Sequence, residues 1–160
     1  MDYLDKWAII SDDGKYRYNL TRKLSLGANY VLFVGLNPST ADATLDDPTI
    51  RRCVGFAKSW GFNWMLMGNL YAFRATDPKM LQTSDNPVGP RNREELEKMI
   101  SVCDLVIAAW GSNPLTPDAQ SIADWIVQQR SVKCLGQNKN GSPKHPLYLA
   151  KSTEPRDLTI

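Results

Sequence analysis

A parallel α/β fold is what this sequence predicts, and three observations carry that expectation. The run Val31-Leu32-Phe33-Val34 is continuous and apolar and ends at Gly35, the pattern of a strand buried on both faces of a parallel sheet. Further short apolar runs follow at Asn63 to Leu70, Asp104 to Ala109 and Val132 to Leu135. The segments between them keep helical spacing, and strands that alternate with helices call for parallel pairing and right-handed crossovers. The expected architecture is a three-layer α/β/α domain with a central, about four-stranded parallel sheet and an N-terminal β-hairpin, one unit over residues 1–160.

Taken in order, Trp7 to Ile10 and Lys15 to Leu20 flank Asp12-Asp13-Gly14, which reads as a hairpin turned by Asp-Gly that flanks or caps the main sheet. The opening strand of the sheet runs from about Tyr30 to Val34, and a polar loop, Ser39 to Asp46, follows it. Asp47-Pro48 then has the form of a helix start, with Asp as cap and Pro in the first turn, and Ile50, Cys53, Val54, Ala57 and Trp60 keep helical spacing until Gly61. The loop Tyr71 to Pro78 lies beyond the second strand. Gly89-Pro90 opens the next helix, whose Leu96, Met99, Ile100 and Cys103 share a face. The third strand ends at Trp110-Gly111, and Thr116-Pro117 caps a helix that runs to about Arg130. A fourth strand leads into the loop Gly136 to Pro146, which holds the chain's one histidine, His145.

Composition narrows the class. Hydrophobic content of 42% with 22% charged residues is that of a globular chain and argues against extended disorder. A net charge of +2 neither requires nor excludes a nucleic-acid partner, because phosphate binding depends on a local patch. Cys53, Cys103 and Cys134 are far apart and odd in number, the usage of reduced core thiols in a cytoplasmic protein. With one histidine and no Cys-x-x-Cys, no metal site is expected, and no organic cofactor motif is present. No run has the length of a membrane span and the first residues do not resemble a signal peptide, so no membrane association is expected.

In such a fold ligands bind beyond the carboxyl ends of the strands. That edge collects Gly35 to Thr40, Asn69 to Arg74, Trp110-Gly111 and His145. Gly35 allows close backbone approach to a ligand, and equally a plain turn. Ser39 and Thr40 suit phosphate or local backbone groups. Asn69 lies among apolar neighbours, where a buried amide needs partners on both oxygen and nitrogen; a base edge would supply them, and so would a bracket between loops. Arg51, Arg52 and Arg74 are available for phosphates, helped by the positive end of the helix that starts at Pro48, although Arg74 with Asp77 also suits an ion pair. Asp42, Asp46 and Asp47 are explained by capping and turns. His145, with Lys139 and Lys144 in its loop, can present an imidazole and positive charge toward an anion.

The motifs Gly35-Leu36-Asn37-Pro38-Ser39-Thr40-Ala41-Asp42, Asp46-Asp47-Pro48-Thr49, Arg74-Ala75-Thr76-Asp77-Pro78, Ala108-Ala109-Trp110-Gly111 and His145-Pro146-Leu147-Tyr148-Leu149 resemble a bacterial and phage domain family of unknown function. More distantly, their order is similar to that of the uracil-DNA glycosylase superfamily. There a Gly-x-Asn-Pro or Gly-x-Asp-Pro turn follows the first strand, an Asn ends the second, Trp-Gly ends the third and a His-Pro loop follows the fourth. That resemblance implies a glycosylase-like α/β fold in which Asn37 orients a water, Asn69 reads the base edge and His145 stabilises charge on the leaving base. Leu36, Pro38, Trp110 and Gly111 would form pocket walls, with Tyr71 or Phe73 stacking on the base. Hydrolysis of an N-glycosidic bond in a damaged or modified nucleotide, within DNA, is the implied activity. Two other readings stand beside it: a pocket for a free nucleotide or nucleoside with Arg51 and Arg52 on its phosphate, and a non-catalytic module that binds nucleic acid or a protein.

Overall fold

The computed structural model describes residues 2–129 and 132–159. The chain opens with β1 (Asp5–Ile10) and β2 (Arg17–Lys23), which pair antiparallel around a turn closed by the Gly14 N–H on the Ser11 carbonyl. Then come β3 (Tyr30–Gly35), α1 (Pro48–Ser59), β4 (Trp64–Asn69), a 3-10 helix (Pro78–Gln82) and α2 (Asn92–Val102). β5 (Leu105–Ala108), α3 (Pro117–Val127), β6 (Val132–Cys134) and β7 (Arg156–Asp157) complete the order. Arg130, to which the sequence extends the third helix, lies outside the described residues.

The sheet corrects the expected layout. In place of an about four-stranded parallel sheet with a separate hairpin there is one seven-stranded mixed sheet, ordered β1-β2-β4-β3-β5-β6-β7. Pairing is parallel for β3 with β4, β3 with β5 and β5 with β6, and antiparallel for β1 with β2, β2 with β4 and β6 with β7. The reason is the free edge of β4. An unpaired edge strand leaves a row of N–H and C=O groups without partners, and β2 supplies them, with Leu20 opposite Met67 and Lys23 opposite Trp64. Residues Arg17 to Arg22 are consequently all buried. The hairpin is thus part of the sheet.

Side-chain alternation sorts the strands onto two faces. Val31, Phe33, Met65, Met67 and Ile107 meet Ile50, Cys53, Val54 and Ala57 of α1. Leu32, Val34, Leu66, Val106 and Ala108 meet Leu96 and Met99 of α2 and Ile122 and Ile126 of α3. Caps set where the helices begin: the Asp47 carboxylate accepts from the Ile50 N–H at 2.9 Å, and the Thr116 hydroxyl accepts from the Ala119 N–H. Among the described residues no helix is long and apolar enough to cross a membrane, and all three cysteines are free thiols.

Candidate functional site

A cavity of about 370 Å³ lies at the carboxyl ends of β3 and β4, on the face covered by α1. Its size is that of a small-molecule site. Three strand-end features create it. Gly35 and Asn69 are register partners, and a Cβ at position 35 would stand 2.7 Å from Met67 Cε and 2.9 Å from Asn69 Nδ2, so only glycine fits there without displacing the Asn69 amide. Asn69 is 2% exposed. Its Oδ1 accepts from Arg17 Nη2 at 3.3 Å, while its Nδ2 has no hydrogen-bond partner among the described residues. The guanidinium therefore settles which way the amide faces, and leaves Nδ2 as the group offered to a ligand.

Arg17 reaches this position through a β-bulge. Ile9 pairs with Asn19 but Ile10 pairs with Arg17, so Tyr18 is an extra residue and the alternation of β2 inverts there. Tyr18 lies under Arg91 at the start of α2, while Arg17 faces the cavity with Leu20's side of the strand. Arg17 is 2% exposed, and its Nη1 donates to the Ala41 carbonyl at 3.2 Å. Its Nε has no partner, and no carboxylate lies within ion-pair distance among the described residues. Burial pushes its pKa down to about 10, opposed by the charge of Asp47.

Asp47 lines the same cavity, the one carboxylate among the described residues that does so. Capping occupies only one of its oxygens. Asn37 also lines the cavity, and its Nδ2 donates to the carbonyls of Pro38 at 3.0 Å and Ala75 at 2.7 Å. The amide nitrogen thus anchors two loops, and Oδ1 is the atom left for a ligand. His145 arrives from the last loop, which is tied down by the Gly111 N–H on the Pro143 carbonyl and the Lys144 N–H on the Gly136 carbonyl, both 2.9 Å. The Leu147 N–H donates to His145 Nδ1 at 3.2 Å, so the neutral ring carries its proton on Nε2. Partial desolvation holds the imidazole below its ordinary 6.5, with Asp47 pulling the other way. Burial thus favours the neutral ring.

Leu36, Pro38, Ser39, Trp110 and Gly111 line this cavity as well. Other residues singled out from sequence lie elsewhere. Thr40 is exposed and outside the lining. Tyr71 is fully buried against the opposite core, where its hydroxyl accepts from the Thr116 N–H at 2.8 Å. Phe73 packs on Tyr16, with ring centroids 6.1 Å apart. Arg74 donates to the Gly14 carbonyl and makes no ion pair with Asp77, whose side chain caps the 3-10 helix. Arg51 and Arg52 line a second cavity along α1. Lys139 is exposed, and the stem of Lys144 crosses Gly136. Arg17 and Asp47 are the two residues that sequence reading does not select. For Asp47 the signal is present, a cap that follows directly on a strand-end loop; for Arg17 a bulge leaves none.

The chain belongs to the family described as Protein of unknown function (DUF1643), whose model matches residues 17–147, from Arg17 to just past His145. Comparison with curated proteins and with solved structures finds no match.

Proposed function

We propose that this cavity takes the base of a nucleotide unit and hydrolyses its N-glycosidic bond. The observation that carries the reading is the meeting of a carboxylate, two amides and a neutral imidazole in one cavity: Asp47, Asn37, Asn69 and His145. The order of the strand-end motifs, similar to that of uracil-DNA glycosylases, supports the same roles for Asn37, Asn69 and His145.

In this mechanism a water sits between Asp47 and Asn37 Oδ1. Asn37 orients it, and Asp47 takes its proton, which a neutral amide cannot do. The water oxygen bonds to the anomeric carbon as the carbon–nitrogen bond breaks, and the electron pair of that bond leaves on the base. His145 Nε2–H donates a hydrogen bond to the developing negative charge, and the base leaves as an anion that takes up a proton from solvent, to which Asp47 releases the one it took from the water. Asn69 Nδ2–H holds an acceptor on the base, strengthened by the Arg17 guanidinium on its Oδ1. The sum is water plus glycoside giving a free base and a sugar hydroxyl.

The test incubates the protein with oligonucleotides bearing different modified bases and then cleaves abasic sites with alkali. Asp47→Asn is the informative variant, because Asn caps a helix as well as Asp does and only the proton acceptor is lost. Base release is expected to fall by about 100-fold or more in Asp47→Asn and in His145→Ala, with melting of Asp47→Asn unchanged. Absence of strand breaks across the panel, or full activity in both variants, overturns the reading.

A further inference from the structure

We propose that the second cavity, along the outer side of α1, is a track for the phosphates of a nucleic-acid strand whose base enters the first cavity. The inference rests on the nucleobase reading of that first cavity. The second cavity holds about 600 Å³, and Arg51, Arg52 and Lys151 line it with no carboxylate among its walls. None of these three side chains forms an ion pair among the described residues. Among the described residues Arg51 donates only to the Asp46 carbonyl, at 3.2 Å, and Arg52 lies 5.9 Å from the centroid of the Phe56 ring, a flat apolar floor. α1 itself contains no acidic residue.

Gly55 points to an occupant as well. Glycine is a poor residue for a helix interior, and packing does not demand one here, since a Cβ at that position would meet nothing within 4 Å. It stands one turn from Arg51 and leaves the helix backbone bare on the side of the groove. The two cavities adjoin. Pro48 lines the second while its neighbours Asp47 and Thr49 line the first, and Leu147 lines the second two residues after His145. A base drawn out of its stack drags its flanking phosphates to the rim of its pocket, and this rim opens onto three unopposed cations. Cations spread along a groove suit successive phosphates of a strand better than the single phosphate group of a mononucleotide.

The test measures binding of a mixed-sequence single-stranded DNA of about 20 nucleotides by fluorescence anisotropy across a sodium chloride series. Wild-type affinity is expected to fall steeply with salt. In R51A/R52A/K151A the slope of log K against log salt is expected to be shallower by about 2, at roughly 0.7 per lost phosphate contact, with melting unchanged. Identical slopes in the two proteins, or no binding of the strand, overturn the track, as does base release from free mononucleotides in a protein that ignores the strand. His145→Ala separates the two ideas: it is expected to retain the wild-type slope while losing base release. If no protein releases a base but the triple variant still flattens the slope, the track stands and the hydrolytic reading falls.

Discussion

Arg17 and Arg22 sit five residues apart on β2, both buried, and only one of them is finished. Arg22 donates to Asp46 Oδ1 at 3.0 Å, to the carbonyls of Thr21 and Trp7, and to those of Asp42 and Leu45, and it stacks 5.5 Å from the centroid of Tyr3. It clamps the loop that delivers Asp47 to the cavity. Arg17 has one carbonyl, one amide oxygen and an orphaned Nε. A buried guanidinium is tolerated when its donors and its charge are met. The first arginine meets that condition within the fold, and the second does not among the described residues. Counting satisfied donors therefore separates the residue that braces the cavity's loop from the residue left incomplete in its wall.

The largest effect expected from this contrast is on stability. Arg22→Met strands the partly buried Asp46 and should lower the unfolding free energy by about 3–5 kcal/mol in urea titrations. Gly35→Ala comes next, at about 1–3 kcal/mol, because its methyl must push aside Met67 and Asn69; base release should be lost with it, since the Asn69 amide moves. Arg17→Met should cost about 1 kcal/mol or less, as the loss of two hydrogen bonds is offset by removal of an unpaired buried charge. Equal losses in Arg17→Met and Arg22→Met would break the distinction. The smallest effect concerns pH. His145 is the single histidine, so one imidazole resonance reports it, and its midpoint should lie below 6.5. With the folded value depressed, the neutral ring's contribution to stability is complete above 6.5 and declines as pH drops through the folded midpoint. His145→Gln should abolish that acid-side decline; a midpoint at or above 6.5 would remove the neutral donor from the mechanism.

Local chemistry was the legible part. An apolar run ending in Gly35, Asp-Pro and Thr-Pro helix starts, and loops beyond strand ends can all be read because each signal lies within a few residues of what it determines. Sheet composition was not legible on the same terms. The pairing of β2 with β4 joins residues more than forty positions apart, and β7 is two residues long, too short for any periodicity. Side-chain aim failed for a related reason. Tyr71 looks like a pocket residue when read as part of a loop, yet it follows Asn69 and Leu70 over the sheet edge into the opposite core. Asp47 was visible as a cap and hidden as a wall of the cavity, since one carboxylate oxygen performs each duty.

The extra residue at Tyr18 acts as a phase inverter in a chain that otherwise keeps a period of two. On its far side, β2 from Leu20 onward is locked to β4 and cannot slip. On its near side the strand carries a single charge to the cavity wall. Were β2 to run straight through Tyr18 without the bulge, Arg17 would turn toward the opposite face, leaving every residue type unchanged while emptying the cavity of its cation. Changes of length in the Ser11 to Gly14 turn, by contrast, fall upstream of the inversion and leave the setting of Arg17 intact. One unpaired position thus insulates the site from variation at the hairpin tip.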